Sequence, residues 1–335
     1  MLTFLRFLLL PAGFLYATGA WLRRQYFQQG GRRKKGSLYS IAIGNLAAGG
    51  SGKTPMAMFL ARHAENKTAV LSRGYKRKTR GFREVQVHDN IQYSGDEPLE
   101  MKNAAPELPV FVCENRLQGI FRIHQEYPEI KTVILDDAFQ HLPLLADKYV
   151  LLTDYQKPFW RDIPMPAGRL REFPCTAAVA DAIVVTKCPV EMQVQTAEKI
   201  IHKLAKYKKP VFFCHYENAV PISNEGLQLS LNTDVIVVSG LADNKVFQDW
   251  AGKHYKVVAS FGYPDHHSFS NKDFEDWIME SDKQGKAVIL TTRKDFARMQ
   301  AFPEGYNKRL FFTFTTPKFL FQGEDAFLRI LFNHF

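Results

Sequence analysis

The stretch Ile41-Ala42-Ile43-Gly44-Asn45-Leu46-Ala47-Ala48-Gly49-Gly50-Ser51-Gly52-Lys53-Thr54, followed by Pro55, constrains the fold more than any other part of the chain. An apolar β-branched run predicts a buried strand. The glycines after it let the backbone wrap an anion, so that successive N–H groups and the N-terminus of the next helix face a phosphate chain. Lys53 is placed to reach the β- and γ-phosphates of a nucleotide, and Thr54 to ligate Mg²⁺. Pro55 suits a first helical turn, where no N–H is missed. One position departs from the usual pattern: Ala47 stands where the first glycine of such a loop is expected. A strand that feeds a helix in this way is the opening of a βαβ unit, and a series of such units makes a parallel sheet.

The rest of the chain agrees with that demand. Short apolar runs near Tyr39–Ile43, Thr68–Leu71, Pro109–Val112, Thr132–Leu135, Tyr149–Leu152 and Ala182–Val185 alternate with amphipathic segments, the pattern of βαβ units. A second series comes next at Asp234–Val238, Tyr255–Ala259, Ala287–Leu290 and Arg309–Phe314, with a helix from Glu324 to Phe332. Between the series, Pro210–Tyr216 and Leu227–Leu231 read as paired strands around a turn at Asn224-Glu225-Gly226. The expected fold is therefore an α/β, P-loop NTPase-type, mostly parallel sheet flanked by helices, with a second smaller α/β domain and an N-terminal membrane-associated helix. The expected divisions are residues 1–28 (helix), 29–208 (P-loop core), 209–232 (two-stranded linker) and 233–335 (C-terminal domain).

Charge is distributed unevenly. Of a net +10, residues 1–83 hold 16 Lys or Arg against the single acid Glu65, so the remainder is mildly acidic. Such a front half expects an anionic partner. The first 22 residues are nearly all apolar and run into Arg23, Arg24, Arg32, Arg33, Lys34 and Lys35. Basic residues just after an apolar segment favour a cytoplasmic location for the chain beyond them, and they sit on the wrong side for a secretory signal. Arg6 and Pro11 interrupt the apolar run, which leaves open both a span and a helix lying in the interface. Four cysteines without a C-x-x-C pair indicate neither a disulfide framework nor a zinc site.

Further motifs carry chemistry. Thr132-Val133-Ile134-Leu135 ends in Asp136-Asp137. Ligands gather at the carboxyl ends of parallel strands, so this pair would hold a metal or its water shell; an acidic helix cap is the competing reading. Ser94-Gly95-Asp96-Glu97-Pro98 offers Asp96 either as helix cap or as general base for an attacking hydroxyl. Pro264-Asp265-His266-His267 offers His266 as a group to orient that base, against an ordinary structural histidine pair. The basic run from Arg73 to Arg80 reads either as a solvated loop or as a surface for anionic lipid, at ~1 kcal/mol per charge, or for a phosphorylated substrate. No nucleic-acid-binding module accompanies it, so nucleic acid is not an expected partner.

Taken together, these residues resemble the tetraacyldisaccharide 4′-kinase (lipid A 4′-kinase) family of Gram-negative bacteria. The likeness runs through Gly44-Asn45-Leu46, Gly49 to Pro55, Leu71-Ser72-Arg73-Gly74-Tyr75, Gly95-Asp96-Glu97-Pro98, Leu135-Asp136-Asp137-Ala138-Phe139-Gln140-His141, Pro166-Ala167-Gly168-Arg169-Leu170-Arg171-Glu172, Pro264-Asp265-His266-His267 and Arg293-Lys294-Asp295. Ala138, Arg169 and Asn115 replace a glycine, a proline and an aspartate common in that family, whose loop shares the departure at Ala47. The resemblance implies transfer of the ATP γ-phosphate to the 4′-hydroxyl of a tetraacylated glucosamine disaccharide 1-phosphate, at the cytoplasmic face of the bacterial inner membrane. Partners would be that lipid and the membrane's own lipids, with no protein partner implied.

Carried over, Asp96, His266 and Lys53 would be catalytic, and Gly49, Gly50, Ser51, Gly52, Lys53 and Thr54 would bind ATP. Thr54, Asp136, Asp137 and Glu172 would serve Mg²⁺, and Arg73, Tyr75, Arg116, Gln140 and Arg171 would line the cleft. Two rival readings share the loop: a membrane-associated P-loop NTPase switch and a soluble small-molecule kinase. Val184-Val185-Thr186-Lys187-Cys188-Pro189 approaches the guanine-reading T-K-x-D, but Pro189 occupies the place of the needed Asp.

Overall fold

The computed structural model describes residues 2–332 except 65, 88, 224, 242, 266, 300 and 301. The chain forms two compact units, one of residues 1–217 with 317–335 and one of residues 218–316.

The first unit is built on the expected parallel sheet. Its strands are β1 (Tyr39–Asn45), β2 (Thr68–Ser72), β3 (Val110–Val112), β4 (Thr132–Leu135), β5 (Lys148–Asp154), β6 (Ala182–Thr186) and β7 (Val211–Asn218). Their spatial order is β7-β6-β5-β1-β4-β2-β3, with the two-residue strand Arg83–Glu84 beyond β3 and strand Thr315–Phe319 beyond β7. The pairs from β3 across to β7 are all parallel, whereas Arg83–Glu84 is antiparallel to its neighbour. After β1 the chain moves outward through β2 and β3, returns to lay β4 against β1, then places β5 on the other side. The carboxyl end of β1 therefore lies at the switch point, where open α/β sheets bind their ligands.

Period-two alternation sorts each strand onto two buried faces. Ala42, Val133, Leu135, Leu151 and Ile183 pack on one side with Ile120 and Ile123 of the helix Arg116–Glu126. Ile41, Ile43, Ile134, Val150 and Val184 pack on the other with Met56 and Leu60 of the helix Lys53–His63. Phe327 and Leu331 from the last helix, Gly323–Phe332, complete that second face.

The N-terminal helix, Leu2–Gln28, contains Pro11. Among its residues, Gly13, Ala17 and Arg24 are buried, which is a narrow stripe at helical spacing. A Cβ on Gly13 would come within 2.9 Å of the Pro164 carbonyl oxygen, and Phe14 meets Phe173 edge-on at 5.5 Å. Leu8, Phe14, Leu15, Trp21, Leu22 and Tyr26 are exposed. Among the described residues no helix is long and apolar enough to cross a membrane.

The second unit has its own five-stranded sheet, in the order Ile222–Ser223, Leu310–Thr313, Val288–Thr292, Asp234–Ser239, Lys256–Gly262. Ile222–Ser223 is antiparallel to its neighbour and the rest are parallel. Trp277 and Phe274, on the helix Asn271–Lys283, fill its core.

The linker differs from its sequence-based expectation. Pro210–Tyr216 leads into and forms most of β7, whose Phe212, Phe213 and Cys214 are all buried, and it pairs with β6. It does not pair with Leu227–Leu231, where the described contact is a single bridge between Ile222 and Gln228. The alternation of Leu227, Leu229 and Leu231 imitates a half-buried strand, yet of the three Leu229 alone is buried. Residues 317–335, expected in the C-terminal domain, return to the first unit.

Gly44 is a point of close approach in the central strand, since a Cβ there would collide with Cβ of Phe139 and lie 3.0 Å from its amide nitrogen. Gly44→Ala should destabilise the first unit by about 1–3 kcal/mol, the range for overpacking a tight core. An unchanged urea midpoint for that variant would show that the turn at Phe139 gives way freely.

Candidate functional site

The loop after β1 is held from outside by four groups. The Asn45 side chain donates to the Gly49 carbonyl at 3.2 Å, the Thr186 hydroxyl to Ser51 O at 3.0 Å, and the Tyr216 hydroxyl to Gly52 O at 2.9 Å. The amide of Ala48 donates to Arg169 O at 2.7 Å. A trans peptide points its C=O and the next N–H in opposite directions. With the carbonyls of 49, 51 and 52 turned to the protein, the N–H groups of Gly50, Gly52 and Lys53 turn the other way. Gly52, at φ 82°, leaves no room for a side chain, because a Cβ would strike the Tyr216 hydroxyl. Ala47 forms an antiparallel bridge with Leu170 and is not among the residues of positive φ. That explains how the loop's entrance dispenses with its usual glycine.

Beside the loop lies a polar cavity of about 680 Å³. Gly49, Gly50 and Lys53 form one wall, Ser72, Arg73 and Tyr75 another, and Asp137, Gln140, His141 and Arg171 a third. Arg116, Glu97, Glu114 and Arg23 complete it. Five of these are Lys or Arg and three are acids, so the cavity suits an anion.

The paired aspartates diverge. Asp136 is fully buried, and neither of its carboxylate oxygens has a hydrogen-bond partner. Burial, then Glu97 and Asp137, pushes its carboxyl up to about 8 against the pull of Lys53 and Arg116. Asp137, at φ 46°, turns into the cavity between Lys53 at 3.7 Å and Arg171 at 3.5 Å. Asx residues tolerate this left-handed backbone better than others. Thr54 stands in the first turn of its helix. The carboxylate oxygens of Asp136 and Asp137 are hard donors of the kind Mg²⁺ prefers. Among the described residues no three or more His, Cys, Asp or Glu come together closely enough to hold a metal ion by themselves. An ion here would keep waters or ligand oxygens, as Mg²⁺ commonly does.

The remaining expected residues take varied positions. Arg116 is buried, donates to the carbonyls of Cys113 and Glu114 at 3.1 Å, and is lowered to about 10 chiefly by burial. Asn115, in place of the aspartate, still caps that helix by accepting from the Gln118 amide at 3.3 Å. Gln140 donates to Asn45 O at 2.9 Å. Asp96 begins the helix Asp96–Ala104, but Glu97 lines the cavity. His266 lies outside the described residues. Arg77, within the basic run, is not a solvated charge: its side chain is buried and bound to Glu114 at 2.7 Å.

Glu172, expected to serve Mg²⁺, sits against the N-terminal helix. It does not line the cavity, and its carboxylate accepts from buried Arg24 at 2.7 and 3.0 Å. Burial raises its carboxyl while Arg24 opposes the rise.

Several groups of the site escape a reading of the sequence. Arg23 is legible there only as a basic flank of an apolar segment, and Thr186 and Tyr216 carry no motif of their own for bracing a loop. His141 sits at the end of the motif that begins with Leu135, without a role assigned by it; burial, then Arg116, Arg23 and Arg73, holds it down to about 4 and so neutral at ordinary pH.

A braced glycine loop and paired aspartates at the switch point of a parallel sheet define a P-loop phosphate-binding protein. Comparison with known proteins narrows the class. The tetraacyldisaccharide-1-P 4′-kinase family profile matches residues 5–334, and the chain belongs to that family. It is 36% identical over 303 residues to a tetraacyldisaccharide 4′-kinase from Cytophaga hutchinsonii, covering 88% of this chain and 86% of that one. Against the enzyme of the same name from Phocaeicola vulgatus it is 33% identical over 311 residues, covering 88% and 85%. Its structure resembles the crystal structure of the "apo" form of LpxK from Aquifex aeolicus in complex with ATP, at 28% identity and a TM-score of 0.78 over 98% of this chain and 99% of that one.

The cavity generates a pH prediction for the ligand-free protein. Asp136 is raised from its ordinary 3.8 to about 8, so the folded state holds this proton more tightly, and the stability it contributes is lost as pH rises toward 8. His141, depressed from 6.5 to about 4, has the opposite sign and loses its contribution as pH falls through that range. The two oppose each other below 6.5 and leave Asp136 alone above it. Thermal midpoints should therefore fall from about pH 6.5 to 8 in the native chain and stay flatter in Asp136→Asn; equal slopes would remove Asp136 as the cause.

Proposed function

We propose that the chain transfers the γ-phosphoryl group of ATP to the 4′-hydroxyl of a tetraacylated glucosamine disaccharide 1-phosphate, at the cytoplasmic face of a bacterial inner membrane. The observation that carries the reading is the braced loop with Lys53 opposite Asp137, in a cavity one wall of which is Arg23 from the apolar N-terminal helix. The same element thus offers apolar side chains outward and a cation inward.

In this reading the N–H groups of Gly50, Gly52 and Lys53, with the Lys53 ammonium, hold the triphosphate. Arg73, Arg116 and Arg171 neutralise charge on the transferring group, and Tyr75 and Gln140 line the acceptor's path. Phosphoryl transfer needs little covalent help, so positioning and charge stabilisation supply most of the acceleration. Asp96 accepts the proton of the attacking hydroxyl. Thr54, Asp136 and Asp137 would hold Mg²⁺, which when bound neutralises charge on the phosphates. Exposed Leu8, Phe14, Leu15 and Trp21 meet the bilayer, where the acyl chains of the acceptor already lie.

The assay is transfer of label from γ-labelled ATP to the lipid acceptor, resolved by chromatography. Lys53→Ala should lower kcat by at least ~10²-fold, the scale for one preorganised contact to the transition state. Near-normal turnover would refute the role of the loop. Asp96→Asn should depress kcat far more than ATP affinity, and Glu97→Gln should not. If only Glu97→Gln does so, the base is the carboxylate that lines the cavity.

A further inference from the structure

Arg24 ties together three segments that are far apart in sequence. It lies on the N-terminal helix, 3% exposed, and one nitrogen donates to Glu172 at 2.7 and 3.0 Å and to the carbonyl of Phe139 at 3.0 Å. Its guanidinium also lies 5.5 Å from the Phe139 ring centre. Each partner sits one residue from a group of the cavity: Glu172 follows Arg171, which pairs with Asp137 at 3.5 Å, and Phe139 precedes Gln140, which donates to Asn45 O at 2.9 Å. Arg23, the neighbour of Arg24, itself lines the cavity. The helix rests on the same segment at its other end, with Gly13 against Pro164 and Phe14 against Phe173.

We propose that Arg24 and Glu172 are positioning residues: a buried latch by which the seating of the N-terminal helix fixes Arg23, Arg171 and the turn after Asp137 in their catalytic arrangement. Glu172 is then no metal ligand. Both of its oxygens already accept from Arg24, and withdrawing it to a metal would leave a buried guanidinium without its counter-charge. The inference rests on the kinase reading and adds to it a path from the lipid-facing helix to the phosphate site.

The test uses the full chain in detergent with Glu172→Gln, Arg24→Met and the double variant. Each single variant should lower kcat on the lipid acceptor by at least ~10-fold with KM for MgATP within about twofold, and the double should be no worse than the poorer single, as for two residues of one network. The Mg²⁺ concentration that half-saturates binding of a fluorescent ATP analogue should stay as in the native chain. Hydrogen exchange should rise in residues 2–28 and 136–141 in all three. The double variant leaves no lone buried charge, so it carries the test if a single variant fails to fold. A raised Mg²⁺ requirement in Glu172→Gln, or effects that multiply in the double, would overturn the latch. If the native chain phosphorylates no lipid, the kinase reading fails by itself; unchanged exchange at 136–141 in the double variant would then overturn the latch separately.

Discussion

The site depends on the outward saturation of the loop's carbonyls. A glycine-rich segment is conformationally loose, and holding it in one shape that offers amides to an anion is entropically unfavourable. Asn45, Thr186 and Tyr216 remove that freedom by fixing three carbonyls from three strands, β1, β6 and β7. A ligand then meets donors already aligned, which is the condition under which electrostatic stabilisation is greatest. The parallel order of the sheet makes this feasible, since all three strands end on the same side.

The two adjacent aspartates show how one strand end supplies two different environments. Asp136 continues the strand's burial and faces repulsion from Glu97 and Asp137, whereas the left-handed turn at the next residue swings Asp137 out to two cations. Their neighbours set the difference, because both carboxylates begin with the same intrinsic chemistry. Arg116 and His141 complete the balance from the opposite direction, each with its charged form disfavoured by burial.

The local parts of this arrangement are legible in the sequence. Strand runs, the loop and the aspartate pair each declare themselves within a dozen residues, and the parallel sheet follows from their alternation. The hidden parts depend on distant pairing. Glu172 reads in the sequence as one more acid beside Arg171, and nothing local announces its partner Arg24, 148 positions away. Asp96 and Glu97 are adjacent and chemically alike, and only the direction of the helix start decides which one faces the cavity. The pairing of Pro210–Tyr216 escapes local inspection because alternation at Leu227–Leu231 is a nearby signal, whereas its two true neighbours are β6, on the far side of an intervening helix, and Thr315–Phe319, about a hundred residues later.

That late arrival has a consequence for the birth of the protein. Thr315–Phe319 takes the sheet's outer edge beyond β7, and Phe327 and Leu331 cover Met56 and Leu60. A chain emerging from the ribosome has made the loop and both aspartates long before it can roof over that core. Until residues 315–332 have emerged, the first unit carries an open edge and a bare apolar floor, the features that recruit chaperones. The helix Gly323–Phe332 thus acts as a seal, set in place after every other element of the core it closes has been made.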